Sequence, residues 1–156
     1  MTLIVFDLDF TLWDAGGTWC DHTRPPFGKH DGKIYDADNR HIRLYPDVLP
    51  LLEELHRSDY DMAVASKTGE PDWARTLLEL FQIRHYFRYE EIYPANKVRH
   101  FRRLAAASGV EFEHMLFFDD EYPNIRDVGA LGVHAVHIRN GITRHIVMTA
   151  LDNFAI

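Results

Sequence analysis

The chain reads as an α/β protein: a doubly wound parallel sheet with helices on both faces. Three observations predict this. Short apolar runs alternate with amphipathic helical patterns along the whole chain. That order of strand and helix favours parallel pairing through crossover helices. The polar residues of chemical interest each follow an apolar run, where open parallel sheets bind ligands.

Leu3-Ile-Val-Phe6 is uniformly apolar, the mark of a short strand buried on both faces. Asp7 and Asp9 follow at once, then Thr11. In extended chain, side chains two apart share a direction, so both carboxylates leave the strand end toward one point. Two close carboxylates repel, which demands a cation or a shared proton. From Trp13 to Tyr45 the chain is rich in Gly, Pro, Asp and His and too polar for a core helix. Within it Lys33–Tyr45 reads as a hairpin, with Ile34 and Tyr35 in one arm, Asp36 to Arg40 in the turn and Ile42 to Tyr45 in the other. A small insert of roughly thirty residues, about 13–45, thus hangs beyond Asp9, a length that functional loops reach.

Pro46-Asp47 opens a helix whose apolar face is Val48, Leu51, Leu52 and Leu55. Met62–Ala65 is the next strand and ends in Ser66-Lys67-Thr68-Gly69. Pro71 begins a helix with Trp73, Leu77, Leu80 and Phe81 inward. Glu91-Ile92-Tyr93 is a short strand, and Pro94-Ala95-Asn96 turns the chain to deliver Lys97. The following helix buries Val98, Phe101, Leu104 and Ala105 and stops at Gly109. Met115–Phe118 forms a buried strand ending in Asp119-Asp120-Glu121. Pro123 starts a helix with Ile125, Val128 and Leu131 inward. Val133 to Ile138 is the last strand, and Asn140-Gly141 leads to a final helix with Val147, Ala150, Leu151 and Phe154 on one face.

A chain of 156 residues, 46% hydrophobic and 26% charged, suits one folded domain, 1–156, with a proper core. The formal net charge of -7 disfavours a nucleic-acid partner, since phosphate backbones need a basic face. No apolar run approaches the length of a membrane span, and the N-terminus lacks a signal-peptide pattern. Cys20 is the single cysteine, so no internal disulfide forms. The expectation is a cytoplasmic protein with no membrane partner. His134 and His137 are three apart in a strand and face opposite sides, which argues against a shared ion.

Four groups converge at one sheet edge: Asp7 with Asp9, Ser66, Lys97, and Asp119 with Asp120. Clustered carboxylates suit Mg²⁺, a hard cation with oxygen ligands. One lysine cannot balance four acids, so a divalent ion fits the site, where it also acts as a Lewis acid on a phosphate oxygen. The Ser66 hydroxyl and the Lys97 ammonium suit the phosphate itself.

This set, Asp7-x-Asp9-x-Thr11, then Ser66, then Lys97, then Phe117-Phe-Asp-Asp-Glu121, resembles the four motifs of the haloacid dehalogenase (HAD) superfamily, in that order. Val5–Trp13, Pro26-Phe27, Leu44–Pro46, Glu91–Pro94, Asn124 and Asp127–Gly129 are similar to the magnesium-dependent phosphatase family within it. The resemblance implies a Rossmann-like core without a large cap domain. It implies a Mg²⁺-dependent phosphomonoesterase in which Asp7 attacks phosphorus and Asp9 acts as acid, then base. Mg²⁺ would be held by Asp7, the backbone carbonyl of Asp9 and Asp120, with Thr11 and Asp119 behind them. Ser66, Lys97 and the backbone N–H of Leu8 would bind the phosphoryl group. Lys67 either reaches the substrate or stays solvated. The open site implies phosphorylated small molecules or phosphoproteins as substrates, phosphotyrosine and sugar phosphates included. Two rivals are a receiver-like signalling domain and a phosphotransferase or mutase. Receivers carry their acidic pair first, and here it is last. Transferases exclude water with a cap that this insert is too small to form.

Overall fold

Residues 3–6 do form a fully buried strand, and the rest of the molecule is laid out from it. The computed structural model describes residues 1–154. In chain order the strands are β1 (Leu3–Phe6), β2 (Trp13–Asp14), β3 (Gly28–His30), β4 (Lys33–Tyr35), β5 (His41–Leu44), β6 (Asp61–Ser66), β7 (Tyr89–Ile92), β8 (Met115–Asp119) and β9 (His134–His137). The helices are α1 (Val48–Arg57), α2 (Pro71–Leu80), α3 (Lys97–Ser108), α4 (Tyr122–Gly129) and α5 (Arg144–Phe154).

Five strands make one parallel sheet in the order β7-β6-β1-β8-β9. Strand β1 is central, and the chain order reverses around it. Side chains alternate across the pleat, so Ile4 and Phe6 face a core layer closed by α1, α2 and α5. Leu3 and Val5 face the opposite layer, closed by α3 and α4. Each large apolar side chain buried there, such as Phe101 or Leu104, contributes about 2 kcal/mol. This is the doubly wound layout, with the reversal of strand order next to Asp7.

Two helical faces are rotated from the sequence reading. On α2 the buried positions are Ala74, Leu77 and Leu78, and Trp73 is only partly covered. Trp73 instead meets the ring of Phe27, from the insert, edge to face at 6.4 Å. On α3 the buried positions are Lys97, His100, Phe101 and Leu104, while Val98 stays half-buried. The first turn of α3 turns two polar side chains inward, and that rotation moves Val98 off the core. Strand β7 also begins two residues earlier than expected and ends before Tyr93.

The insert contains the expected hairpin, β4 and β5, and extends it. β2 adds beside β5, and β3 adds beside β4, giving a four-stranded antiparallel sheet in the order β2-β5-β4-β3. The β3–β4 turn is Asp31-Gly32, both with positive φ (52° and 77°), a pairing that matches the twist of a tight hairpin. The turn between β4 and β5 is built on Asp36. Its carboxylate accepts from the backbone N–H groups of Arg24 (3.0 Å), Asp38 (3.0 Å) and Arg40 (2.8 Å) and from Arg40 Nη1 (2.8 Å). The insert also docks on the core. Trp13 stacks on Phe81 with ring centroids 6.0 Å apart. Tyr45 lies flat over Gly141, where an added Cβ would sit 2.3 Å from the ring.

Burial alone would raise the Asp36 carboxyl, but its four donors outweigh burial and hold it below the ordinary range. A lowered carboxylate stabilises the fold above its unfolded pKa, near about 4. That contribution disappears as pH falls through the lower folded value. Asp36→Asn should therefore destabilise the protein by on the order of 2 kcal/mol at neutral pH. The gap in melting temperature from the parent should close as pH drops from about 5 to about 3. Thermal denaturation across that range measures both effects.

Candidate active site

Strand β1 ends at Phe6, and the Asp7 N–H still reaches the Phe118 carbonyl of β8 at 3.0 Å. Asp7 therefore stands at the mouth of the sheet. The chain then turns sharply through Phe10, whose φ is +61°. The Leu8 carbonyl accepts from the N–H groups of Thr11, Leu12 and Trp13. This tight return places Thr11 Oγ1 3.2 Å from Asp7 Oδ2 as donor. Leu8 buries its side chain in the core and offers the site its backbone alone.

Asp9 has different neighbours. Its Oδ1 accepts from Trp13 Nε1 and from the Cys20 backbone N–H, each at 2.8 Å. The insert thus grips one oxygen of Asp9. Burial lifts the Asp9 carboxyl above its ordinary range, despite these donors. Cys20 itself is buried, and burial pushes its thiol far up, which leaves it inert as a nucleophile.

Lys97 sits at the first position of α3 and is 1% exposed. Its Nζ donates to Asp7 Oδ1 (3.1 Å), Asp119 Oδ2 (2.9 Å) and the Ala65 carbonyl (2.7 Å). Burial would strip its proton, but Asp7 and Asp119 outweigh burial and raise its pKa. Asp119 is fully enclosed. Its Oδ1 accepts from the Glu121 N–H at 2.8 Å, and its Oδ2 also accepts from Asn124 Nδ2 at 3.0 Å. Both of its oxygens are taken by direct contacts.

Asp120 is only half-buried. Asp7, Asp119 and Asp120 each bring an oxygen within 4.8 Å of the others. Three carboxylates stand against one ammonium, which bonds two of them, a deficit that one divalent cation would balance. The electrostatics carry the same signature. Burial and the neighbouring Asp119 raise Asp7 well above the usual carboxylate range, with Lys97 only partly opposing. Burial chiefly pushes Asp120 up to about 6. Oxygen donors, spare negative charge and proximity fit a hard cation such as Mg²⁺.

Ser66 ends β6, is 2% exposed and accepts from the Thr68 N–H at 3.2 Å. Together with Asp7, Asp9 and Lys97 it lines a cleft of about 210 Å³. Trp19 and His22, from the insert, form the facing wall. Lys67 lies exposed at the rim. The insert is fastened there by Asp21, whose Oδ2 accepts from the Gly69 N–H at 3.1 Å. The structure thus brings Asp7, Asp9, Ser66, Lys67 and Lys97 to one cleft. Thr11 stands behind Asp7, and Asp119 behind Lys97. Sequence reasoning carried Asn124 only as part of the resemblance, read Trp13 and Trp19 as rings that pack the insert or stack on a substrate, and gave no role to His22 or to the Trp13 N–H. Asn124 lies in the first turn of α4, after the acidic pair, and no period marks its contact with Asp119; Trp19 lies in a polar stretch with no period to mark it.

Residues 1–156 match the family model described as Acid Phosphatase. Human Magnesium-dependent phosphatase 1 is 45% identical over 155 residues, covering 98% of this chain and 86% of that protein. A HAD-like hydrolase superfamily protein of Schizosaccharomyces pombe is 36% identical over 143 residues, covering 83% and 81%. A Listeria monocytogenes crystal structure shares the fold, with a TM-score of 0.75 at 16% identity and 99% of both chains covered. The chain belongs to the acid phosphatase family and is a magnesium-dependent phosphatase of the HAD superfamily.

Removing one partner from a buried charge set leaves the rest uncompensated. Lys97→Met should therefore destabilise the metal-free protein by about 3–5 kcal/mol. Mg²⁺ should return part of that loss, because it binds the folded state through the same carboxylates. Urea unfolding in EDTA and in excess Mg²⁺ gives both numbers.

Proposed function

We propose that the enzyme hydrolyses phosphomonoesters through a phosphorylated Asp7. The observation that carries this is the unequal surroundings of the two first-motif acids. Asp7 has Thr11 on one oxygen and Lys97 on the other; burial and Asp119 still raise it well above its ordinary range, and a divalent cation would supply the remaining charge that the nucleophilic carboxylate needs. Asp9 has neutral donors on Oδ1 only. Burial favours a proton on Asp9, and the oxygen left to carry it is Oδ2. Asp9 is then the acid for the leaving oxygen, and afterwards the base for water.

Asp7, Asp120 and the Asp9 carbonyl would hold Mg²⁺. When bound, the ion supplies the charge that keeps the carboxylates ionised and polarises a phosphoryl oxygen. Ser66 donates its hydroxyl proton to a phosphoryl oxygen. Lys97 already spends one N–H on Asp7, so its ammonium sits beside the attacked group and offsets its charge. The Leu8 N–H lies in the same turn as Asp7 and is a third donor. Lys67, at the rim, reaches outward to the substrate's phosphate.

The cleft is walled by one short insert and has no large cap. An opening of this kind suits phosphorylated small molecules and phosphate on a protein side chain, phosphotyrosine included. Insert and core work as one catalytic domain over residues 1–156, because the insert itself grips Asp9. Among the described residues no helix is long and apolar enough to cross a membrane.

Asp7→Asn should lower phosphate release from p-nitrophenyl phosphate by roughly 10⁴-fold or more, as loss of a covalent nucleophile does. Acid quench of the parent enzyme should trap a phosphoenzyme that hydroxylamine cleaves, absent from the variant. Turnover retained by Asp7→Asn would move the nucleophile elsewhere.

A further inference from the structure

His100 lies one turn beyond Lys97 on α3 and is fully buried. The chemistry above makes no use of it. Its ring nitrogens meet only backbone carbonyl oxygens. Nε2 is 3.0 Å from the Ser66 oxygen and 2.9 Å from the Tyr93 oxygen. Nδ1 is 3.1 Å from the oxygen of Asn96. A bare Nε2 would set its lone pair against two others, so Nε2 carries a proton in either charge state of the ring.

The two carbonyls are well placed. Ser66 pairs with Ile92 at the end of β7, and the Tyr93 N–H, one residue further, makes the last rung, 3.1 Å from the Ser66 oxygen. Beyond that rung the strands end, and the phosphate-facing loop begins. Lys97 takes the preceding carbonyl of β6, that of Ala65, at 2.7 Å. The first two inward side chains of α3 therefore hold the final two carbonyls of β6. Tyr93 covers the imidazole, stacked at 4.3 Å and 9°. Arg99 and Arg103 lie 5.7 Å from the Tyr93 ring centroid. The bond from Nε2 is thereby shielded from water, where it is worth more.

We propose that His100 is a positioning residue for phosphate binding: its Nε2–H pins the Ser66 and Tyr93 carbonyls and so fixes the Ser66 hydroxyl relative to the Lys97 ammonium. This rests on the assignment of Ser66 and Lys97 to the phosphoryl group. An apolar side chain fills the same space but leaves the Tyr93 carbonyl without its donor and lets the end of β6 move. The amide nitrogen of glutamine reaches about as far from the backbone as Nε2. That of asparagine reaches only as far as Nδ1.

The test uses Mg²⁺-saturated enzyme, with KM for p-nitrophenyl phosphate and the inhibition constant of inorganic phosphate as readouts. His100→Leu and His100→Asn should raise both constants by about tenfold, with kcat changed by less than about threefold. His100→Gln should bring both constants back to within about threefold of the parent. A purely structural role would lower the melting temperature or the active fraction and leave both constants unmoved. That result, or a Gln variant no better than the Asn variant, would overturn the proposal. If the Leu variant fails to fold, the Gln and Asn pair decides. Ser66→Ala is the control for the underlying assignment. If it leaves the phosphate constant unchanged, Ser66 is not a phosphate ligand. If it raises the constant while His100→Leu and His100→Asn do not, only the positioning role falls.

Discussion

One buried ammonium organises this site. Lys97 is placed by α3, and its three contacts tie three strand ends together: Asp7 beyond β1, Ala65 in β6 and Asp119 at the end of β8. A lone lysine at that depth would shed its proton, and Asp7 without Lys97 would be raised further still. Each charge is tolerable only because the other is present. The balance is incomplete on purpose of chemistry rather than of folding: Asp7 and Asp120 remain raised, and the deficit is what a magnesium-dependent enzyme fills with its metal.

The layers explain why these groups meet. Reversal of strand order around β1 opens a crevice at the carboxyl ends of β1, β6 and β8. Each strand end then delivers one polar residue of this cluster, Asp7, Ser66 or Asp119, within a residue or two of its last ladder bond. The insert supplies what the sheet lacks. Through Trp13 and Cys20 it holds Asp9, through Asp21 it reaches the loop after Ser66, and through Trp19 and His22 it forms a wall. The loop between β2 and β3, held by the small antiparallel sheet, thus lines the cleft where no large cap is present.

Much of this was legible in the chain. Leu3–Phe6, Met62–Ala65 and Met115–Phe118 are short apolar runs that admit few readings, and all three became central strands. Asp7, Asp9 and Ser66 were readable because each follows such a run, and Lys97 because a Pro-Ala-Asn turn delivers it at a helix start. The rest was hidden for physical reasons. Strand β3 is polar, and its signal was the Asp31-Gly32 turn rather than any alternation. The α3 face differs at Val98 because His100 reads as part of a basic surface until its backbone partners are known, and it turns inward with Lys97. Contacts such as Trp13 to Asp9 and Asn124 to Asp119 depend on rotamers and turns that no periodicity encodes. Asp119 and Asp120 are equal as letters. The resemblance put the metal on Asp120, and the structure adds that Asp119 has both oxygens engaged, by Lys97, Glu121 and Asn124.

A crystal structure with Mg²⁺ and trifluoroberyllate, a mimic of an acyl phosphate, puts this division of labour to the test. Beryllium bonded to an Asp7 oxygen, fluorines on Ser66 and Lys97, and Mg²⁺ on Asp7 and Asp120 with Asp119 still bound to Lys97 is the expected result. Mg²⁺ coordinated by Asp119 with Lys97 displaced, or beryllium carried by Asp9, would contradict it.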